Sequence, residues 1–433
     1  MDRTRSDSGA AISMDCLRRA APACKSDRIF QKGAEAVRKR CLSLLFLLLL
    51  TLPAGGCLQK DGLDHYAYVV ALGFDPGEHL PYRYTFLLQQ LDYGSSEQKL
   101  SGLNTVSAEG SNLFEAINTL AASMPLRLSF VRTVLLVFER SLLTDGRFLA
   151  EFMQSSFPTL GLRYGASVLV SLCPADMALE GMETDLDPGA AKLQENIEVY
   201  SRDTALIPAA DLALVQEAML SSVVDFAAPL CGTASDAPGQ MQDSVGGEGY
   251  AYLAGNLLAE TDMKTEVIGA ALFSNCVLVG VLNGQNTQLL QMATGNFYRA
   301  RIRLGNIDGT EIDVYLKRRK PVKIELEPGD PPCVRIRLEL TAYIEQPDHL
   351  KRVTTEQAEQ WIAEQLTQRY DRLYQTCREL RSDVFGVGKQ AARWLSDAEE
   401  YETYDFRELY AAAEAVFDVR VLLTNAPDRS VLE

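Results

Sequence analysis

The sequence predicts an α+β protein, with mixed sheets flanked by helices and more than one domain. Three observations predict it. Continuous apolar runs of strand length alternate with helical patterns in the first half, as at residues 66–75. Strands with one wet face follow, because residues 334–345 alternate apolar and polar side chains one by one. One long amphipathic helix near the end is marked by Ala358, Trp361, Ile362, Leu366, Tyr370, Leu373, Cys377 and Leu380, which recur on a single stripe.

The chain opens with a leader. Its dense apolar part, residues 42–52, follows the basic cluster Arg38, Lys39 and Arg40. A membrane-spanning helix needs roughly 20 apolar residues, so a run this short reads as the core of a secretory signal. Pro53 ends any helix, and the small residues Ala54, Gly55 and Gly56 precede Cys57. Small residues and then cysteine resemble the bacterial lipobox, in which the thiol is acylated and becomes the new N-terminus. The usual leucine three places before the cysteine is replaced by Ala54, and an internal start at Met14 would shorten a long leader. An ordinary signal peptide or an uncleaved anchor is the blander reading.

After the leader, residues 66–75 and 82–91 predict two buried strands separated by a turn. Ser111 is placed to cap a helix carrying Leu113, Phe114, Ile117, Leu120 and Ala121. Residues 132–139 and 164–172 predict further strands, with an amphipathic helix between them. Two more helices are expected at 190–200 and 209–221. From Pro229 the composition turns small, polar and glycine-rich, which predicts a linker. Beyond it come a hairpin joined at Ser274-Asn275 and four alternating strands, expected as an antiparallel sheet. Thr354 and Gln357 have the spacing of a capping box at the start of the long helix. Helical patches at 384–395 and 405–417 and a final strand at 418–425 complete the chain. The boundaries are residues 1–56 for a lipoprotein signal peptide, 57–228 for an N-terminal α+β region, 229–262 for the linker and 263–433 for a C-terminal α+β domain.

Charge and cysteine usage restrict the function. After Gly56 there are 32 basic and 53 acidic residues in 377, a net charge near −21. Such a surface repels phosphate backbones and anionic headgroups, so nucleic-acid binding is not expected and membrane attachment is expected from a lipid. Five cysteines remain beyond Cys57, widely spaced and without a CxxC, which is neither a disulfide framework nor a zinc site. They read mostly as small buried apolar residues.

Catalytic signatures are not found. His65, His79 and His349 have no partner at metal-ligand spacing, and no nucleophile elbow or zinc-protease motif occurs. The sequence Gly386-Val387-Gly388-Lys389 lacks both the glycine spacing and the following hydroxyl of a phosphate-binding loop, so it reads as a turn between helices. The expectation is no enzyme, no cofactor and no metal.

Several fragments together resemble the Ger(x)C family, the lipoprotein C subunits of GerA-type spore germinant receptors. Cys57 followed by "LQKDGLDHYAYVVALGFD" is similar to the family's opening, with Phe74 in place of the usual isoleucine and Leu58-Gln59 in place of the usual Trp-Asp. "EVIGAALFSNCVLVGVLNG" resembles its second-domain hairpin, and "SDVFGVGKQAARW" resembles its tail, with Asp383, Gly386, Gly388 and Trp394 on the pattern. The resemblance implies a three-domain α+β fold and a non-catalytic, lipid-anchored subunit on the outer face of the cell or spore inner membrane, with Cys57 as the lipid attachment site. A-type and B-type integral-membrane receptor subunits are its implied partners. Asp75, Gly386, Gly388 and Trp394 are read as turn geometry and core packing rather than as functional groups. The competing reading is a solute-binding lipoprotein of a membrane transporter, which would favour two similar lobes of parallel βαβ units.

Overall fold

The computed structural model describes residues 43, 66–91, 100–124, 127–182, 190–233, 252–257, 263–307, 310–344 and 353–424. Cys57, His65 and His349 lie outside them. Leu63–Glu433 forms one compact unit with two mixed sheets flanked by helices.

The first sheet contains β1 (Tyr66–Pro76), β2 (Tyr82–Leu91), β3 (Leu100–Gly110), β4 (Arg127–Ser129), β5 (Leu135–Glu139), β6 (Ser167–Ser171), β7 (Ala227–Thr233), β8 (Thr265–Ser274) and β9 (Val277–Leu282). Its order is β3-β2-β1-β5-β6-β7-β8-β9, with β4 on the start of β1. The centre, β1-β5-β6-β7, is parallel, and both flanks are antiparallel. Parallel neighbours need crossovers. Helix α1 (Leu113–Ser123) lies in the first, and α2 in the second, built from Arg147–Glu151, a π turn at Phe152–Ser156 and a last turn at Phe157–Leu160. Helices α3 (Ala175–Glu180), α4 (Ala190–Thr204) and α5 (Leu212–Leu220) lie in the third.

Helices on both faces explain the continuous apolar strands. Along β1, Val69, Leu72 and Phe74 enter one core, while Val70 and Ala71 enter another. Phe74 stacks on Phe138 with ring centres 4.5 Å apart. Strand β8 passes between two cores, since Ala271 and Phe273 face the first sheet's core and Ala270 and Leu272 that of the second sheet.

The second sheet contains β10 (Arg299–Ile307), β11 (Thr310–Arg318), β12 (Lys323–Glu327), β13 (Cys333–Ile344) and β14 (Glu414–Leu423). Every second residue of β13 is buried, as its alternating sequence requires. The other face carries solvent-accessible cross-strand pairs such as Arg335–Glu327 and Arg337–Glu325, each worth at most about 1 kcal/mol. Helix α6 (Gly284–Thr294) precedes this sheet and α7 (Thr355–Glu379) covers it. Thr354 Oγ1 accepts from the Gln357 amide and the Gln357 side chain returns the bond, the capping box expected from the sequence. Three short helices follow, α8 (Val387–Ala391), α9 (Ala398–Thr403) and α10 (Phe406–Ala412).

Four sequence expectations change. Residues 229–233 are not linker but part of β7, paired to β6 and β8, with Pro229 beside a register shift that accommodates its missing N–H. The second sheet is not wholly antiparallel, because β14 runs parallel to β13 after the helical crossover. Residues 414–417 are strand rather than helix, since pairing with β13 overrides the helix propensity of Glu414 and Ala415. The α1 cap is Asn112, whose side chain accepts from the Glu115 amide, while Ser111 donates its own amide to Glu115.

Candidate functional site

Two buried aspartates stand where segments distant in sequence meet. Asp75 ends β1 and is 5 % exposed. Its carboxylate accepts from the amides of Ala175 at 2.6 Å and Asp176 at 3.3 Å, closing the first turn of α3. Burial pushes its pKa up to about 6, with repulsion from Asp176 adding to the rise and the two amides opposing it.

The second aspartate is the centre of a larger joint. Asp225, just before β7, has a side chain 3 % exposed. One of its oxygens accepts from the Asn275 amide at 2.9 Å and the other from the Asp383 amide at 3.0 Å. Arg407 of α10 lies 3.6 Å from the first oxygen. Asp383 accepts from the amides of Val387 at 2.9 Å and Gly388 at 2.5 Å, which start α8. Ser274 and Ser382 seal the periphery by donating to the carbonyls of Arg381 and Phe273. One polar joint therefore ties β7, the β8–β9 turn, the end of α7, α8 and α10.

The local sequence makes the joint possible. Asn275 and Cys276 both adopt positive φ, 53° and 61°, the geometry of a two-residue hairpin turn matched to strand twist. Gly386 has φ 73°, which only glycine adopts without strain, and turns the chain into α8. Gly388 lets the backbone approach, since a Cβ there would lie 3.2 Å from both the Asp383 carboxylate and the Val223 carbonyl. Lys389 reaches Glu217 at 2.9 Å. Turn geometry thus accounts for both glycines, as expected, and for Asp75 and Asp383. Trp394 departs from the expectation of core packing, since it closes a 3₁₀ turn and is 41 % exposed.

Burial raises the Asp383 pKa to about 6 from the ordinary 3.8, with its amide donors pulling the other way and Asp225 adding to the rise. The folded chain therefore holds this proton more tightly than the unfolded chain. The stability from that proton is fully present below about pH 4 and is lost as pH rises through about 6. Asp383→Asn does not titrate. The stability gap between wild type and this variant is expected to change by about 2 kcal/mol, against wild type, between pH 4 and pH 7, measured from urea midpoints. A gap that stays constant over that range would mean that the carboxyl is ionised throughout.

Among the described residues, no catalytic set is assembled around these groups. His79 is exposed, and its amide donates to Glu109. Glu109 accepts from the amides of Glu78, His79 and Leu80, which bring its pKa down to about 2 and pin the β1–β2 turn to β3. The five described cysteines are free thiols. Burial raises Cys231 to about 12 and Cys276 to about 11, so both stay protonated and unreactive. Among the described residues no group of three or more His, Cys, Asp or Glu is arranged to hold a metal ion, and no helix is long and apolar enough to cross a membrane. The parallel strands follow one another β1-β5-β6-β7 without reversal, so their order creates no switch-point crevice.

Among the described residues, the pattern residues serve the joints of a two-sheet α+β body. Residues 59–233 match the profile of the spore germination protein N-terminal domain, and residues 268–426 match that of the spore germination B3/GerAC-like C-terminal domain. The chain belongs to the Ger(x)C family of spore germination proteins. A solved structure described as the crystal structure of the GerBC protein aligns with 82 % of this chain and 97 % of its own, at 12 % identity and a TM-score of 0.49. A search of curated proteins gave no match.

Sequence reasoning did not find Asp225 or Arg407. The residues of the joint are spread from position 225 to position 407, and nothing in their local patterns links them. The one available signal was Asp383 with its two glycines, which the resemblance had already singled out.

Proposed function

We propose that this chain is the C subunit of a spore germinant receptor, acting without catalysis as a lipid-anchored body on the outer face of the membrane beside A-type and B-type integral-membrane subunits. The observation that supports this most is the ordered match of both germination-protein domains, over residues 59–233 and 268–426. In this reading Cys57 bears the lipid, with palmitoyl-type chains. The net charge near −21 after Gly56 supports attachment by lipid rather than by a basic patch.

The test is deletion of the gene in the spore-forming host. Spores are expected to lose their germination response to at least one nutrient, while vegetative growth is unchanged. Normal germination to every nutrient tested, with no related receptor compensating, would refute the reading.

A further inference from the structure

The second sheet ends in an unpaired edge. Strand β14 pairs with β13 in continuous register, from Cys333 opposite Glu414 to Ala342 opposite Leu423. The Glu414 and Thr424 amides bond to the carbonyls of Pro332 and Ala342, on the β13 side. Backbone direction alternates along a strand, so even-numbered residues face β13 and odd-numbered ones face outward. Leu423 fits this rule, since its amide is taken by Glu359 of α7 at 2.8 Å. Phe417, Val419 and Val421 therefore turn their N–H and C=O groups to the free side, where no described strand pairs with them.

That edge is one wall of an open groove of about 430 Å³. Phe417, Asp418 and Val419 line it on one side and Gln360, Glu364 and Thr367 of α7 on the other. The helical wall is one-signed. Glu356, Glu359 and Glu364 lie within its first three turns, and there is no lysine or arginine from Thr355 to Gln368. Asp418 is neutralised within the sheet by Arg337 and Arg420. Among the described residues, Glu364 accepts from the Gln360 side-chain amide at 2.8 Å, and it is exposed.

We propose that the free edge of β14, walled by the acidic face of α7, accepts an extended basic segment of a partner protein as an added strand. The three outward-facing residues set the length, about five to seven residues, because an edge residue bonds at every second position. Main-chain bonds to Phe417, Val419 and Val421 supply affinity. Lysine or arginine side chains on the α7 face, set toward Glu364 and Glu356, supply the selection by charge, and the apolar alternates fall on the opposite face beside the exposed Val416 and Leu422. A second copy of this chain is a poor occupant, because edge-to-edge pairing would set two identical acidic walls against each other. The proposal goes beyond the receptor reading and does not depend on which complex the chain joins.

The test uses full-length protein in detergent and a short fluorescent peptide alternating valine and lysine, followed by anisotropy. Val419→Pro removes one outward N–H and none of the β13–β14 bonds, a substitution that edge strands tolerate. It is expected to weaken peptide binding about tenfold, the upper size of one lost edge hydrogen bond. Glu364→Lys, which alters no sheet bond, is expected to weaken it similarly and serves if the proline variant misfolds. A valine–glutamate peptide is expected not to bind. Hydrogen exchange at Phe417, Val419 and Val421 is expected to slow with the valine–lysine peptide, while exchange at Val416 and Asp418 is unchanged. Failure of that peptide to bind, equal binding of the acidic peptide, or full binding by both variants overturns the proposal. So does sedimentation showing a dimer that Val419→Pro dissolves, since the edge would then serve a second copy.

Discussion

Asp225→Ala is expected to destabilise the fold by about 3–5 kcal/mol, the cost of leaving a paired charge without its partner. The side chain is 3 % exposed, so almost none of its hydrogen bonding is shared with water. Its removal leaves the part-buried amide of Asp383 without its acceptor, at about 1–3 kcal/mol, and costs less at the exposed Asn275 amide, which turns to water. Arg407 is 28 % exposed and can recover part of its hydration, which keeps the total toward the lower end of that range. After the change, Arg407 still donates to the Asn275 side-chain oxygen at 3.3 Å. The residue after Asp225 adds leverage, because Phe226 stacks on Phe273 at 4.3 Å and ties β7 to β8. Asp225→Asn keeps one acceptor at nearly the same volume and is expected to lose about half as much. Urea unfolding of both variants beside wild type checks the order. An alanine variant within about 1 kcal/mol of wild type would show that the joint is ornamental.

How far the fold could be read from the chain depended on what each residue is buried against. Strand β1 was legible because helices cover both faces, so nearly every position is apolar. The long helix was legible because it pairs an unambiguous cap, Thr354 with Gln357, with a one-sided apolar stripe. Strand β3 was missed. It is an edge strand of small and polar residues, "LSGLNTVSAEG", held by its register with β2 rather than by strand propensity. Strand β7 was read as the beginning of a linker because proline and glycine interrupt it, yet its place between β6 and β8 decides its conformation. The direction of β14 was out of reach for another reason. Alternation reports which face is wet and nothing about which neighbour a strand will meet. The candidate site divides similarly. Gly386 and Gly388 stood out locally, whereas Asp225 acquires its meaning only through Asn275, Asp383 and Arg407, from 50 to 182 positions away in the sequence.

The largest effect in a cell is expected from Cys57→Ala, which should move the protein from the membrane to the soluble fraction. In the lipoprotein reading the Cys57 thiol carries the lipid. Each buried CH₂ contributes about 0.8 kcal/mol, and two chains suffice for stable anchoring where one is marginal. Nothing in the acidic body replaces that contribution, since a net charge near −21 is repelled by anionic headgroups. Metabolic labelling with a palmitate analogue and fractionation read both consequences, loss of label and loss of attachment. The leader supplies an internal control, because Ala54 stands where the lipobox usually has leucine. Ala54→Leu is expected to speed conversion of precursor to mature protein without changing where the mature form resides. A Cys57→Ala protein that stays in the membrane at precursor mass would mean that the uncleaved apolar run at residues 42–52 is the anchor. Membrane-bound, unlabelled protein at mature mass would instead place the attachment in the body of the chain. Either result would remove Cys57 from the mechanism, and only release together with loss of label supports it.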